Sequence, residues 1–217
     1  MCKPPPDYDA IEQQMWRSNA KDVPERLRTN ETNLLKRIAT FISRFGFSES
    51  TVRDKIRSDD MFASHFAIEP RRQSFHEGIA AQWLEELDEI QNFQTLPKSG
   101  KRAYYITSDG EVRRGMKPAP SKSLDFTWVT GSTRFYAAHK YTKEGGGNQD
   151  SQFNEMRLLL EHFMKGMATN TVLIVIVDGA YYTPQRMAEL HRFIRTNTPE
   201  SFALPIQDVP YILSEYA

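Results

Sequence analysis

The sequence has little cysteine, no net charge and no long apolar run, and each absence excludes a class of protein. Its 217 residues include one cysteine, Cys2, so no disulfide framework can form within the chain. The longest apolar run, residues 172–177, is far shorter than the ~20 residues that a membrane-spanning helix needs. The first ten residues, MCKPPPDYDA, lack the apolar segment typical of a signal peptide or a lipoprotein anchor. We therefore expect a reduced, cytoplasmic protein.

The basic residues are unevenly distributed, although basic and acidic residues balance at 28 each. From residue 98 to residue 122, only Asp109 and Glu111 are acidic. The same stretch contains seven basic residues, which are Lys98, Lys101, Arg102, Arg113, Arg114, Lys117 and Lys122. This local excess favours an anionic partner such as the phosphate backbone of DNA.

The first 70 residues have a helical pattern. In TNETNLLKRIATFISRF the apolar residues recur at a spacing of three to four, and Gly46 is a typical helix stop. A second, shorter helix and a turn are indicated by SESTVRDKIRSDDMFASHF. We expect residues 1–70 to form an N-terminal helical segment that supplies a dimer interface or a clamp on DNA.

Residues 71–217 have the pattern of a mixed α/β core. Helices are predicted for SFHEGIAAQWLEELDEI, QFNEMRLLLEHFMKG and TPQRMAELHRFIR. Strands are predicted for RAYYITSDGEVRR around its Asp-Gly turn, SLDFTWV, RFYAAHKY, TVLIVIV and the proline-interrupted FALPIQDVPYIL. The run TVLIVIV is continuous and β-branched, which is typical of a strand buried on both faces. A strand meander, a crossover helix and a buried strand predict a mixed sheet flanked by helices.

Asp125 and Lys140 are charged residues in two neighbouring strands that otherwise have a buried character. A carboxylate in an apolar strand costs several kcal/mol unless it is paired, hydrated or bound to metal, or unless it lies on a solvated face with Thr127. If residues 130–133 form a four-residue hairpin loop, Asp125 lies opposite Ala138, and Lys140 shares its face. A loop one residue shorter would place the lysine on the other face, because the side-chain period of a strand is two. In the first register the pair either holds a metal and a water or is an ordinary ion pair.

Glu155 is the third candidate of this group. It follows Lys140 after a glycine-rich loop, EGGGNQDSQ, and lies near the start of the next helix, outside its main apolar face. It can therefore point to the strand ends as a second metal-binding carboxylate, although an acid in the first turn also stabilises the helix dipole. The loop glycines would let backbone N–H groups approach a phosphate, or they form an ordinary flexible tip.

The chain from about residue 73 to its end resembles the PD-(D/E)xK nuclease superfamily, and specifically a type II restriction endonuclease. The resemblance rests on the SLDF strand, the AHK strand, the glycine-rich polar loop, the following helix and the LIVIVDGAYY strand. It implies a restriction-endonuclease-like core in which Asp125 and a second acid bind Mg²⁺. It also implies that Lys140 positions or activates the attacking water.

The sequence departs from the family pattern at two places. Leu124, instead of a proline, precedes Asp125, and Ala138 occupies the position of the second acid. Some restriction enzymes supply that acid from the following helix, so the resemblance implies the catalytic set Asp125, Lys140 and Glu155. Further candidates for the missing acid are Glu144, Asp150 and Glu77, the last on a helix similar to one that lends a glutamate in related folds.

The function that we expect from this resemblance is a Mg²⁺-dependent, sequence-specific double-stranded DNA endonuclease of a restriction system. It would leave 5′-phosphate ends and act as a homodimer. The residues expected to contact DNA are Lys101, Arg102, Arg113, Arg114, Lys143, Gly146, Gly147, Asn148, Gln149, Gln152, Tyr181 and Tyr182. Two alternatives remain: a repair or mobile-element nuclease with the same core, and an inactive DNA-binding protein, which Ala138 favours.

Overall fold

A computed structural model describes residues 3–70, 73–119, 121–143, 147–166, 170–194 and 200–217, without the side chains of residues 73, 147 and 148. The chain divides into two compact units. One comprises Asp7–Phe75, and the other comprises the described residues within Met1–Pro6 and His76–Ala217. No helix within these described ranges is both long enough and apolar enough to cross a membrane.

The unit Asp7–Phe75 is helical. Its helices are α1 (Tyr8–Lys21), α2 (Val23–Arg28), α3 (Thr32–Phe45), α4 (Glu49–Ser58) and α5 (Asp60–Ser64). The side chains of Asp7 and Ser48 accept hydrogen bonds from the first turns of α1 and α4, and Gly46 ends α3 in a left-handed conformation. The expected N-terminal helical segment is therefore present. Its core is formed by Val23, Leu27, Leu34, Ile38, Val52, Ile56, Ala63, Phe66 and Ala67.

The second unit is built on a five-stranded sheet in the order β1-β4-β5-β6-β7. The strands of the unit are β1 (Gln91–Thr95), β2 (Tyr104–Ile106), β3 (Val112–Arg114), β4 (Phe126–Thr130), β5 (Thr133–Tyr141), β6 (Thr171–Asp178) and β7 (Glu200–Leu204). The strands β1, β4 and β5 pair antiparallel, whereas β5, β6 and β7 pair parallel. This pairing confirms the expected mixed α/β fold.

Helices cover both faces of this sheet. They are α6 (Gln73–Glu85), α7 (Gly147–Phe163), α8 (Pro184–His191) and α9 (Val209–Ser214). Residues of α6 and α9 pack on one face, and residues of α7 and α8 pack on the other. The side chains of β6 alternate between the two cores, so the prediction of a strand buried on both faces is confirmed.

Three parts of the expected core are different in the structure. The RAYYITSDGEVRR hairpin forms a separate two-stranded sheet of β2 and β3, and the place beside β4 is taken by β1. The sequence pattern does not indicate β1, because QNFQT is polar and exposed, as an edge strand can be. The last segment is a strand only to Leu204. The chain then forms α9. Pro210 is compatible with this helix because it lies in the first turn, where the backbone N–H groups have no partner within the helix.

Candidate functional site

The hairpin of β4 and β5 sets which charged side chains share a face. Phe126 pairs with Ala137, and Thr130 pairs with Thr133, so only two residues form the turn. The register is nevertheless the same as that of the four-residue loop considered from the sequence. It places Ala138 opposite Asp125 and puts Lys140 on the same face of the sheet.

Asp125 is fully buried, and its two carboxylate oxygens differ in their hydrogen bonding. Its Oδ2 accepts a hydrogen bond of 2.9 Å from the backbone N–H of His139. Its Oδ1 is buried and accepts no hydrogen bond from the part of the chain that the structure describes. Thr127 is also buried, which rules out the solvated face considered from the sequence. A buried carboxylate oxygen without a protein partner costs free energy, which a water molecule, a cation or another ligand bonded to it would offset.

Lys140 is 3% exposed and lies in the field of three charged neighbours. Burial and the ammonium group of Lys122 lower the pKa of Lys140 to about 7, although Asp125 and Glu155 attract the charged form. An amine with this pKa is present in both protonation states near neutral pH. It can therefore either donate a proton to, or accept a proton from, a molecule bound beside it.

Glu155 lies in the third turn of α7. The sequence places it in the first turn, but the helix begins at Gly147, so residues 147–152 of the expected glycine-rich loop are helical. The carboxylate of Asp150 complements the positive end of the helix in its first turn, which is one reason why the helix extends so far. The Oε2 atom of Glu155 lies 3.7 Å from Lys122 Nζ, and its charge acts on Lys140.

Lys98 and Glu77 extend the charged cluster. Glu77, on α6, is 4% exposed and forms an ion pair with Lys98. Burial lowers the pKa of Lys98, while Asp125 opposes this change and Lys122 adds to it. The structure therefore brings together Asp125, Lys140 and Glu155, as the sequence predicts. It connects Glu77 to them through Lys98.

Sequence reasoning missed the roles of Lys98 and Lys122, which it counted only as part of a basic surface. Lys122 is 14% exposed at its side chain and forms an ion pair with Glu155. The available signal was that Lys122 precedes Asp125 by three residues, which places both near the same strand end. A cleft of about 580 Å³ lies beside Glu155, and Lys117, Ser121, Asn154 and Arg157 are among its lining residues.

The carboxylates of this cluster are few for a metal site built from protein groups alone. No group of three or more His, Cys, Asp and Glu side chains suited to a metal ion occurs within the described ranges. Mg²⁺ is usually held by one or two carboxylates, with water and substrate phosphates as the other ligands. The unpaired Oδ1 of Asp125 and the carboxylate of Glu155 are oxygen donors of this kind, so these residues fit Mg²⁺ with a phosphate present.

Asp150 is engaged elsewhere. Its Oδ1 accepts hydrogen bonds from the Tyr181 hydroxyl and, at 3.4 Å, from Arg186. The guanidinium carbon of Arg186 lies 3.7 Å from the centroid of the Tyr181 ring. These contacts tie the start of α7 to the loop after β6 and hold Asp150 Oδ1 outside the cluster around Asp125. Glu144, the other reserve in this segment, lies outside the described residues.

The residues expected to contact DNA fall into two groups. Lys101, Arg102, Arg113, Arg114 and Lys143 are exposed, and Gln149 and Gln152 are partly exposed on α7. Tyr181 is only 3% exposed and its hydroxyl is bonded to Asp150, which corrects the expectation that it touches DNA. The hydroxyl of Tyr182 is also buried, and burial raises its pKa. Gly147 is helical, whereas Gly146 and the side chain of Asn148 lie outside the described residues.

Comparison with known proteins assigns no family to this chain. No family model matches it, and no curated protein matches it. Among solved structures, protein VC1899 from Vibrio cholerae is similar to 97% of this chain, with 14% identity and a TM-score of 0.33. The chain spans 57% of the length of that protein. A likeness at this level carries no argument about fold or function.

Proposed function

We propose that this protein is a Mg²⁺-dependent DNA endonuclease whose catalytic residues are Asp125, Lys140 and Glu155. The observation that carries the proposal is the shared face of β4 and β5. On that face a buried carboxylate, one oxygen of which accepts no hydrogen bond from the described part of the chain, lies near a buried lysine whose pKa is lowered to about 7. A purely structural ion pair would satisfy both groups, whereas this pair leaves an oxygen for a ligand.

Lys140 would hold the attacking water and take part in its proton transfer. Its amine points into a site that contains both carboxylates, and its pKa of about 7 lets it exchange a proton at neutral pH. Placing this lysine on a central strand also fixes its position, because β5 pairs on both sides with β4 and β6. A rigid strand positions a reacting group more accurately than a loop does.

Asp125 and Glu155 would hold the divalent cation. When bound, Mg²⁺ would stabilise the negative charge that develops on a phosphodiester during hydrolysis. Asp125 would supply the buried oxygen, and Glu155, from α7, would replace the acid that the family pattern has at the position of Ala138. Lys98 and Lys122 would neutralise the carboxylates and attract the phosphate backbone of DNA.

The finer features of the proposal follow from the resemblance to restriction endonucleases. They are sequence-specific cleavage of double-stranded DNA within a restriction system, 5′-phosphate ends and a homodimer. A symmetric duplex site needs two active sites, one for each strand, which a two-fold dimer supplies. The exposed basic residues of the β2-β3 hairpin are suited to contact with DNA phosphates.

The test is incubation of the purified protein with phage or plasmid DNA in Mg²⁺, with a parallel sample in EDTA. Discrete bands that require Mg²⁺ are expected, and mapping their ends should show 5′-phosphates. Nicking or smearing would instead indicate a repair or mobile-element nuclease with the same core. Undigested DNA under all salt and metal conditions would contradict the proposal.

A second candidate function is an inactive DNA-binding protein. Ala138 stands at the position of the second acid, which favours this function. The ion pair between Lys98 and Glu77 favours it too, because it engages a carboxylate that could otherwise bind a metal ion. The two functions are distinguished by a binding measurement beside the cleavage measurement. Duplex binding without cleavage in Mg²⁺ or Mn²⁺ would support the inactive protein.

A further inference from the structure

The helical unit Asp7–Phe75 carries a surface groove of about 270 Å³ with an unusual lining. Its walls come from α3 and the segment after α5, and they are Lys36, Arg37, Thr40, Phe41, Arg44, Phe45, His65 and Phe66. The lining thus combines phenylalanine rings with basic side chains and contains no acidic residue. We call this surface the aromatic groove.

Phenylalanine rings at the groove are open to solvent. Phe45 is 55% exposed, and its ring centroid lies 4.7 Å from that of Phe41. Phe47, which is 49% exposed and is not among the lining residues, stacks on Phe41 with 6.0 Å between the ring centroids and 13° between the ring planes. Exposed rings of this size cost free energy in water, so they favour an occupant with flat faces.

Two cations of the groove differ from five others in the unit that ion pairs hold, and resemble Arg17 and Lys21 of α1, for which the described residues supply no ion pair either. Ion pairs with acidic residues hold Arg26, Arg28, Arg53, Lys55 and Arg57. Lys36 and Arg44 form no ion pair with any described residue, and Arg37 donates to the carbonyls of Phe66 and Ala67. The guanidinium carbon of Arg44 lies 5.7 Å from the Phe45 ring centroid. Positive charge without a partner is thus placed beside the exposed ring.

We propose that the aromatic groove binds single-stranded DNA, with an unpaired base stacked on Phe45 and its phosphates beside Lys36 and Arg44. Aromatic platforms flanked by basic side chains bind single strands, because every base has a π-face and every linkage carries a negative charge. A second copy of the chain would bring its own Lys36 and Arg44 to the same surface, so charge complementarity favours the nucleic acid. The choice of DNA over RNA rests on the proposed function.

The test measures binding of fluorescent dT20 to the full chain in EDTA, so that nuclease activity plays no part. Phe45→Ala should weaken binding about tenfold, which corresponds to about 1.4 kcal/mol. Lys36→Gln should lower the slope of log affinity against log salt by about 0.7, the loss of one phosphate contact. Matched controls are Met61→Ala, at an apolar side chain that is 82% exposed outside the groove, and Lys21→Gln on α1. Neither control should change the affinity.

Several results would overturn the inference. They are equal affinities of the wild type and Phe45→Ala for dT20, tighter binding of rU20 than of dT20, and equal losses in the controls. A further such result could come from sedimentation of each variant. If the wild type is a dimer and Phe45→Ala is a monomer, the groove binds a second copy of the chain instead of DNA. Loss of dT20 binding in Phe45→Ala supports the inference even if the protein cleaves no DNA.

Discussion

The two faces of β5 carry two buried side chains that are adjacent in sequence, His139 and Lys140, and each lies near a buried carboxylate. On one face His139 lies 3.3 Å from Asp178, whose other oxygen accepts the backbone N–H of Ile206 at 3.0 Å. On the opposite face Lys140 lies near Asp125, whose Oδ1 accepts no hydrogen bond from the described residues. Both carboxylate oxygens of Asp178 thus have partners within the fold, whereas one oxygen of Asp125 has none among the described residues and is open to a ligand.

This difference separates structural from functional burial of charge. The Asp178 carboxylate joins β6, β5 and the segment after β7, so its contacts stabilise the sheet. The Asp125 face instead gathers the cations Lys98, Lys122 and Lys140 around its carboxylates. Because clustered lysines repel one another, this face is less stable than a fully paired one. A bound phosphate and a bound cation would reduce that repulsion and pair the carboxylates.

The largest expected effect comes from Lys140→Met, which keeps the length of the side chain and removes its charge. We expect cleavage of plasmid DNA in Mg²⁺ to fall by a factor of about 10² to 10⁴, the usual contribution of a proton-transferring group. Duplex binding in EDTA should remain, because Lys140 is buried and contributes little to the surface charge. Wild-type cleavage by this variant would contradict the site.

The opposite face should respond in stability instead of activity. Asp178→Ala removes the acceptor of Ile206 N–H and the partner of His139, and each buried group left unpaired costs about 1–3 kcal/mol. We expect urea unfolding to show a loss of about 2–3 kcal/mol, with cleavage per folded molecule unchanged. Asp178→Asn, which keeps one acceptor oxygen, is the matched control and should lose less. Equal stability of all three proteins would break the comparison.

The two acids of α7 provide a narrower test. Glu155→Gln should lower cleavage at least tenfold. Removing a group that only hydrogen-bonds to a metal ligand already costs about 10- to 100-fold, and loss of a direct ligand such as Glu155 should cost no less. Asp150→Asn is its control in the same helix, because Asp150 is bonded to Tyr181 and Arg186. This control should cleave DNA at nearly the wild-type rate. A reversed result would make Asp150 the second acid.

The smallest expected effect is on the pH dependence of stability. The pKa of Lys140 is lowered from 10.5 to about 7 on folding, so between these values the unfolded chain binds more protons than the folded chain. Wild-type stability should therefore rise with pH through this window. Lys140→Met lacks this term, so its Tm advantage over the wild type should be largest near pH 6 and smaller at pH 9. A difference in Tm that is independent of pH would contradict the lowered pKa.

The parts of the fold that depend on local pattern could be predicted from the sequence. The alternation of β4, the buried run of β6 and the apolar stripe of α7 each specify an element and its buried face. The edge strand β1 could not be predicted, because its residues are polar and its pairing with β4 is a tertiary contact. The start of α7 could not be predicted, because Gly147 belongs to a run of three glycines in the sequence and glycine is a poor helix former.

Part of the candidate site could be predicted from the sequence. Asp125, Lys140 and Glu155 are conspicuous because each is a charged residue in or beside an apolar element. The hairpin register that brings Asp125 and Lys140 together depends on which residues form the turn. The alternation of side chains along the two strands is compatible with Lys140 on either face of the sheet. The parts played by Lys98 and Lys122 depend on distances between elements, which a sequence does not contain.

The most direct test of the contrast between the two faces is Asp125→Asn, measured for DNA cleavage in Mg²⁺ and for urea unfolding in EDTA. We predict loss of cleavage with a free energy of unfolding equal to or above that of the wild type. The reason, for unfolding measured at pH 9 where Lys140 is mostly neutral, is that the asparagine keeps an acceptor for His139 N–H and removes a buried charge without leaving a buried ammonium group uncompensated. Wild-type cleavage together with a loss of several kcal/mol in stability would show that Asp125 is a structural residue like Asp178, and would contradict the account.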